Sequence, residues 1–204
     1  AVSLVSVAVA GVAIGLPSGP PPDANQAANT VDGVTGSSYE ANGSYEHDAD
    51  EFRADGKRIS LRNEHGTSHA SVAYGQAAVV VGDEELEAIT NGEPMDEQLE
   101  VLFTHLTTDK TEIIVTRVED ANERNSGQWR TARGELVVRT ISWYPEDMDT
   151  NVEETNCDIT DHCDHSGTTP PYGKDLARRG VADNYGWLEY DEENDRFFAT
   201  IMVV

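Results

Sequence analysis

The residues best suited to chemistry gather in one polar stretch late in the chain. Cys157 and Cys163 are the only two cysteines. In an oxidising exterior, two thiols this close most simply form a disulfide closing a short loop, worth about 2 kcal/mol. Cys157, His162, Cys163 and His165 are also ligand types that zinc accepts. Adjacent His162 and Cys163 point apart unless the loop bends sharply, so the disulfide is the simpler expectation, with zinc and free thiols as alternatives. Just upstream, Asp147, Asp149, Asn151 and Glu153 place oxygen ligands at alternate positions, and Asp158 follows in the same run. Calcium loops use this alternation. Val152 stands where such a loop turns on glycine, so a solvated acidic loop competes with the cation site.

Other reactive types carry less. Asn42-Gly43-Ser44 is an Asn-x-Ser sequon and makes Asn42 a candidate for N-glycosylation. His47, His65, His69 and His105 lie among polar residues and read as surface or hydrogen-bonded histidines. Acid neighbours such as Asp83 with Glu84 and Glu85, or Glu192 with Glu193, could serve acid–base work. With 38 acids in the chain, such neighbours arise by chance. No nucleophile elbow, zinc-protease helix, phosphate-cradling loop or dinucleotide fingerprint is present. No catalytic residue is assigned, and no cofactor is expected beyond the candidate calcium ion.

The elements that must position these residues are mainly strands. Arg58 to Arg62 alternates with Ile59 and Leu61 on one face, and Asp55-Gly56 before it signals a hairpin after Glu51 to Arg53. Ser71 to Tyr74 and Ala77 to Val81 continue the pattern. Glu112 to Val118, Glu135 to Trp143, Tyr185 to Tyr190 and Phe197 to Val204 are rich in β-branched and aromatic residues and are expected as strands. Asp191 to Asp195 turns the last hairpin. Helices are expected at Glu84 to Thr90, closing at Asn91-Gly92, and within Met95 to Leu106. Asp23 suits an N-cap for a short helix through Ala24, Ala27, Ala28 and Val31, ending near Gly33. The fold class is mainly β with minor α, an antiparallel, sandwich-like head.

Charge divides the chain more sharply than any motif. Ala1 to Leu16 carries no charge, while the rest holds 38 acids against 14 bases, a net charge of -24 with only three lysines. As a helix this segment is about 24 Å long, short of the roughly 20 residues that span a bilayer. Ser3, Ser6, Ala10, Gly11 and Gly15 would give that helix a face of small residues for close packing. As a strand, Val5, Val7 and Val9 alternate with Ser6, Ala8 and Ala10, the period-two pattern of a segment donated to another subunit. Both readings make Leu4, Val5, Val7, Val9, Gly11, Val12, Ile14, Gly15 and Leu16 an assembly surface, and a plain anchor is the alternative. The absence of an opening methionine suits either removal of an upstream part or a mature protein that begins here. The expected organisation is an assembly segment at 1–16, a Pro/Gly/Ser linker with a short helix at 17–44, and an acidic β-rich head at 45–204.

Acid excess, scarce lysine and this apolar start resemble haloarchaeal cell-surface proteins. More narrowly, the strings VSLVSVAVAGVAIGLP, PPPDANQAANTVD, YEHDADEFRADGKRISLRN and LVVRTISW resemble a haloarchaeal pilin-like family of membrane-anchored proteins. The similarity covers roughly residues 1 to 144, and its motifs are structural rather than catalytic. It implies an extracellular, surface-exposed protein of a halophilic archaeon.

The function expected is a noncatalytic filament subunit whose partners are copies of itself, and the membrane before assembly. Nucleic acid is excluded as a partner because phosphates would repel so negative a body. The alternatives are assembly by donor-strand insertion, a monomeric anchored adhesion protein and a secreted metal-dependent enzyme. A charge of -24 demands screening. The screening length falls from about 10 Å at about 0.1 M to about 3 Å at about 1 M salt. Circular dichroism across a salt series should show a head folded at molar salt that loosens near about 0.1 M. Equal stability at both extremes would remove the halophilic reading.

Overall fold

The computed structural model describes residues 19–37, 40–99, 110–145 and 182–204. Their architecture is mainly β, two largely antiparallel sheets with few helices. Asp23 opens the first helix, α1 (Ala24–Thr35), by accepting the backbone N–H groups of Asn25 at 2.9 Å and Gln26 at 3.3 Å. Such a cap satisfies N–H groups that have no partner within the helix. Ala24, Ala27, Ala28, Val31 and Val34 form its buried stripe. The helix passes the expected stop at Gly33 and closes at Gly36, because Val34 still has a core to enter.

Among the described residues, nine strands follow the order β1 (Asn42–Glu46), β2 (Glu51–Asp55), β3 (Arg58–Asn63), β4 (Gly66–Ser71), β5 (Ala78–Val79), β6 (Arg130–Thr131), β7 (Glu135–Trp143), β8 (Leu188–Asp191) and β9 (Arg196–Val203). The larger sheet runs β1-β7-β9-β5, with β8 also on β9; the smaller runs β4-β3-β2-β6. These pairs are antiparallel except β5 with β9. The β2–β3 hairpin turns at Gly56, whose φ of 57° favours glycine.

Strand β9 is the centre. It pairs with β7 from Val137↔Val203 to Trp143↔Phe197, and every residue from Ala199 to Val203 is buried. A strand covered on both faces reads as a continuous apolar run rather than an alternation. On one face Phe197, Ala199, Ile201 and Val203 join Ile141 and Trp143 beneath α2 (Glu84–Asn91), α3 (Met95–Gln98) and α4 (Lys110–Asn125). The Trp143 and Phe197 rings stack at 5.5 Å, and Trp143 Nε1 donates to Thr111 Oγ1 of α4 at 3.2 Å. On the other face Met202, Leu136 and Val138 pack with α1 and with Phe52, Ala54, Ile59 and Leu61 of the small sheet. α1 therefore sits in the core that joins the two sheets.

The structure departs from several expectations. The strand expected at Glu112 to Val118 lies inside α4. Of its buried residues, Ile114, Val118, Ala121 and Asn125 are spaced 4, 3 and 4, with Val115 beside them. Tertiary burial of this helical stripe overrides the β-branched propensity of Ile113 to Val115. The strand expected at Ser71 to Tyr74 falls earlier, as β4, whose register with β3 ends at Arg58↔Ser71. The stretch Gly36 to Ser44 is not all linker, because β1 begins at Asn42 and pairs with Arg139 of β7. Residues 24–35, assigned to the linker region, are buried in the core through one face. A Cβ at Gly43 would lie 3.1 Å from Val34 Cγ2 and 3.2 Å from Thr30 Cγ2, so glycine allows β1 to approach α1. The expected helix at Met95 to Leu106 is described only as α3, followed by buried Leu99. The assembly segment 1–16 lies outside the described residues.

Phe52 is 1% exposed at the junction of α1 and the two sheets. Phe52→Ala should cost about 3–5 kcal/mol, lowering Tm by on the order of 10 °C. Tyr74 is 68% exposed. Tyr74→Ala should therefore stay within about 0.5 kcal/mol. Thermal unfolding of both variants checks the core assignment.

Candidate functional site

Cys157, Cys163 and the loop ligands Asp147, Asp149, Asn151, Glu153 and Asp158 all lie outside the described residues. Among the described residues, no three His, Cys, Asp or Glu side chains group so as to hold a metal ion. Asn42 is described and exposed at the start of edge strand β1. Ser44 is exposed two residues on, facing the same side as Asn42, which leaves the sequon open to a modifying enzyme.

The acid neighbours at Asp83 have a structural role. Asp83 caps α2 by accepting the Leu86 N–H at 3.1 Å. Arg117 of α4 grips the same carboxylate through Nε at 3.0 Å and Nη2 at 2.9 Å, and Nη2 also reaches Glu85. Burial opposes the Arg117 charge, but the hydrogen bonds and charges of Asp83 and Glu85 outweigh it and hold its pKa above the usual value. Nearby, Asn122 Oδ1 accepts the Val79 N–H at 3.0 Å, and Asn125 Nδ2 donates to the Val81 carbonyl at 2.8 Å. These amides fasten β5 to α4.

Ser60 and His69 form a nucleophile–base geometry in outline. Ser60 Oγ lies 2.7 Å from His69 Nδ1. Ser60 is buried at mid-strand, opposite His69 in the β3–β4 register. The pair reads as a cross-strand bond.

A cavity of about 280 Å³ opens at the C-terminal end of α1. Thr140 and Thr200 are two of its lining residues, their hydroxyls 3.2 Å apart, and both are buried. Ser37, Gln76, Glu189, Asp191 and Phe198 also line it. Beside it, Arg196 Nη2 donates to Glu40 at 2.5 Å and to Ser142, whose hydroxyl in turn donates to Glu40. The Arg196 guanidinium also lies 5.1 Å from the Phe198 ring centre and 5.4 Å from that of Tyr144. Both rings are within reach of a cation–π attraction. Among the described residues, the lining offers hydroxyls, an amide and carboxylates.

His47 faces a wider hollow of about 590 Å³ shared with Tyr45, Glu46, Asp48, Arg133, Gly134 and Glu135. Its Nδ1 accepts the Ala49 N–H at 3.3 Å. A ring nitrogen that accepts carries no proton. Burial lowers the His47 pKa below 6.5, against the smaller raising effect of Asp48. Folding thus favours the neutral ring. Its contribution is present above the unfolded value of 6.5 and is lost as pH falls through the depressed folded value. Urea midpoints measured from about pH 7.5 to about 5.5 should fall in the wild type. In His47→Asn, whose Oδ1 can accept the same N–H, that segment should flatten.

Among the described residues, no helix is long and apolar enough to cross a membrane. No curated protein matches the chain, nor does any solved structure. Residues 1–141 match a family of unknown function, DUF7283, a stretch that takes in the uncharged start, α1, both core-forming hairpin strands and most of β7, and the chain belongs to that family.

Proposed function

We propose that the chain is a structural subunit of an extracellular filament that polymerises through Ala1–Leu16, with the acidic domain as its head. The observation that carries this reading is the abrupt border between the two parts. The first sixteen residues hold no charge, and PSGPPP, which cannot continue a helix, follows at once. The chain is fastened to the head from the last residue of that spacer onward. The Ser68 hydroxyl donates to the Pro22 carbonyl and accepts the Ala24 N–H at 3.1 Å. An uncharged segment joined to an acidic head, itself centred on the buried strand β9, is the organisation that a polymerising subunit requires. The resemblance to haloarchaeal pilin-like proteins and the charge of -24 support a cell-surface location in brine. Before assembly, the same apolar segment would rest in the membrane. We propose no catalytic activity and no cofactor.

A second reading has one observation in its favour. β1 is an edge strand of the larger sheet, pairing with β7 alone among the described strands. An open edge can accept a strand, and Val5 to Ala10 alternates as a donated strand would.

Val9→Asp combined with Val12→Asp would bury charge at the subunit contact, at several kcal/mol per site. Electron microscopy should then show no filaments, while circular dichroism shows a folded head. Filaments of normal length from this variant would mean that another element polymerises.

A further inference from the structure

The bases of this acidic chain are not evenly placed. Phe52, Ala54, Ile59 and Leu61 face the core. By strand alternation, Glu51, Arg53, Asp55, Arg58, Ser60 and Arg62 are left on the outer face of β2–β3. Residues 51–71 hold four bases, Arg53, Lys57, Arg58 and Arg62, against three acids, Glu51, Asp55 and Glu64, in a chain of net charge -24. Two of those acids are already occupied. Glu51 pairs with Arg62, and Asp55 pairs with Arg53 at 3.3 Å. Lys57 donates to the carbonyls of Ala73 and Tyr74 and takes no carboxylate among the described residues, and neither does exposed Arg58. Exposed Arg124 comes to the same end of the sheet, because Gly127 in the turn after α4 donates to the Ala54 carbonyl at 2.6 Å. On the helical side most cations are paired, Lys110 with Asp96 at 2.6 Å, Arg117 with Asp83 at 2.9 Å and Arg133 with Glu87 at 2.6 Å, while Arg139 donates to the Thr90 carbonyl.

We infer that the end of the small sheet carrying Lys57, Arg58 and Arg124 is a docking surface for the acidic surface of a second copy of this chain. The inference rests on the filament reading and names a head-to-head contact within it. Heads of charge -24 must come together in a filament, and a positive end meeting a neighbour's carboxylates offsets their repulsion. At molar salt only direct contacts survive screening, which suits cations held at the surface without a carboxylate of their own. Tyr74, 68% exposed beside Lys57, supplies the aromatic anchor common at such contacts. An anionic membrane fits less well. The chain runs toward its apolar segment past the other end of the hairpin, where Gly19 lies against His65 and Pro21 against Gly66. Arg58 and Asn63 stand at opposite ends of β3. A strand of that length separates them by about 17 Å, at roughly 3.4 Å per residue.

The scarcity of lysine makes this testable on the full chain at molar salt. Unlabelled and 15N-labelled chains are assembled together, then treated with a carbodiimide that couples an amine to a carboxylate in direct contact. Of the three lysines, Lys57 should couple to acidic peptides of the other isotope, while Lys110 couples to Asp96 within its own chain. Lys57→Glu with Arg58→Glu should raise the critical concentration for assembly at least tenfold, with an unchanged circular dichroism spectrum because both sites are exposed. Filaments in which Lys57 couples only within its own chain or not at all, or which form from the double variant at the wild-type concentration, would overturn the docking surface and leave the filament reading standing. A double variant that assembles normally but loses binding to phosphatidylglycerol vesicles would assign the patch to membrane instead. A wild type that stays monomeric at every salt concentration would overturn both.

Discussion

The fold depends on one requirement: β9 must be shielded from water on both faces. The strand offers Phe197, Ala199, Ile201 and Val203 to one side, and Thr200 and Met202, with Val204 just beyond, to the other. A single covering layer would leave half of it wet. The helices α2 and α4 cover the first side through Leu86, Ile89, Ile114 and Val118. The second side is covered by α1 together with the β2–β3 hairpin. Losing either cover would expose large apolar side chains, at roughly 25 cal/mol per Å². This explains why the small sheet, though separate in hydrogen bonding, belongs to the same folded unit.

The same requirement sorts the charges. The buried residues are nearly all apolar, so acids collect at the surface, and the few arginines near the helices hold that layer in place. Arg117 binds α4 to the α2 cap through Asp83 and Glu85, and Arg139 donates to the Thr90 carbonyl at the end of α2 at 3.0 Å. Among the described residues, α1 fills the space between the sheets. In the assembly proposal, the apolar surface of the uncharged first sixteen residues makes contacts with other subunits or with lipid.

How much of this was legible in the sequence varied with how local the signal was. The Asp55-Gly56 hairpin, the Asp23 cap and the α2 stop at Gly92 each rest on residues within one turn, and all are present in the structure. α4 misled because Ile113, Ile114 and Val115 form a β-branched run, while its helical stripe emerges only when Ala121 and Asn125 are included. β1 was hidden for another reason. Asn42 to Glu46 has hardly any apolar residues, and only the register against β7 and the fit of Gly43 on α1 make it a strand. Arg117 and Asp83 are 34 positions apart, so nothing local announces their pairing. Of the candidate site residues, Asn42 is placed, exposed on its edge strand. The cation loop and the cysteine pair fall outside the described residues.

The central claim is that the uncharged segment makes the primary subunit contact of the assembly. Cryo-electron microscopy of the native chain at molar salt, taken to a helical reconstruction, tests it most directly. The account predicts residues 1–16 of neighbouring subunits packed together in the subunit contacts, with the acidic heads carried outward on the proline spacer. A reconstruction in which residues 1–16 touch no neighbouring subunit, or a chain that remains monomeric under these conditions, would contradict it.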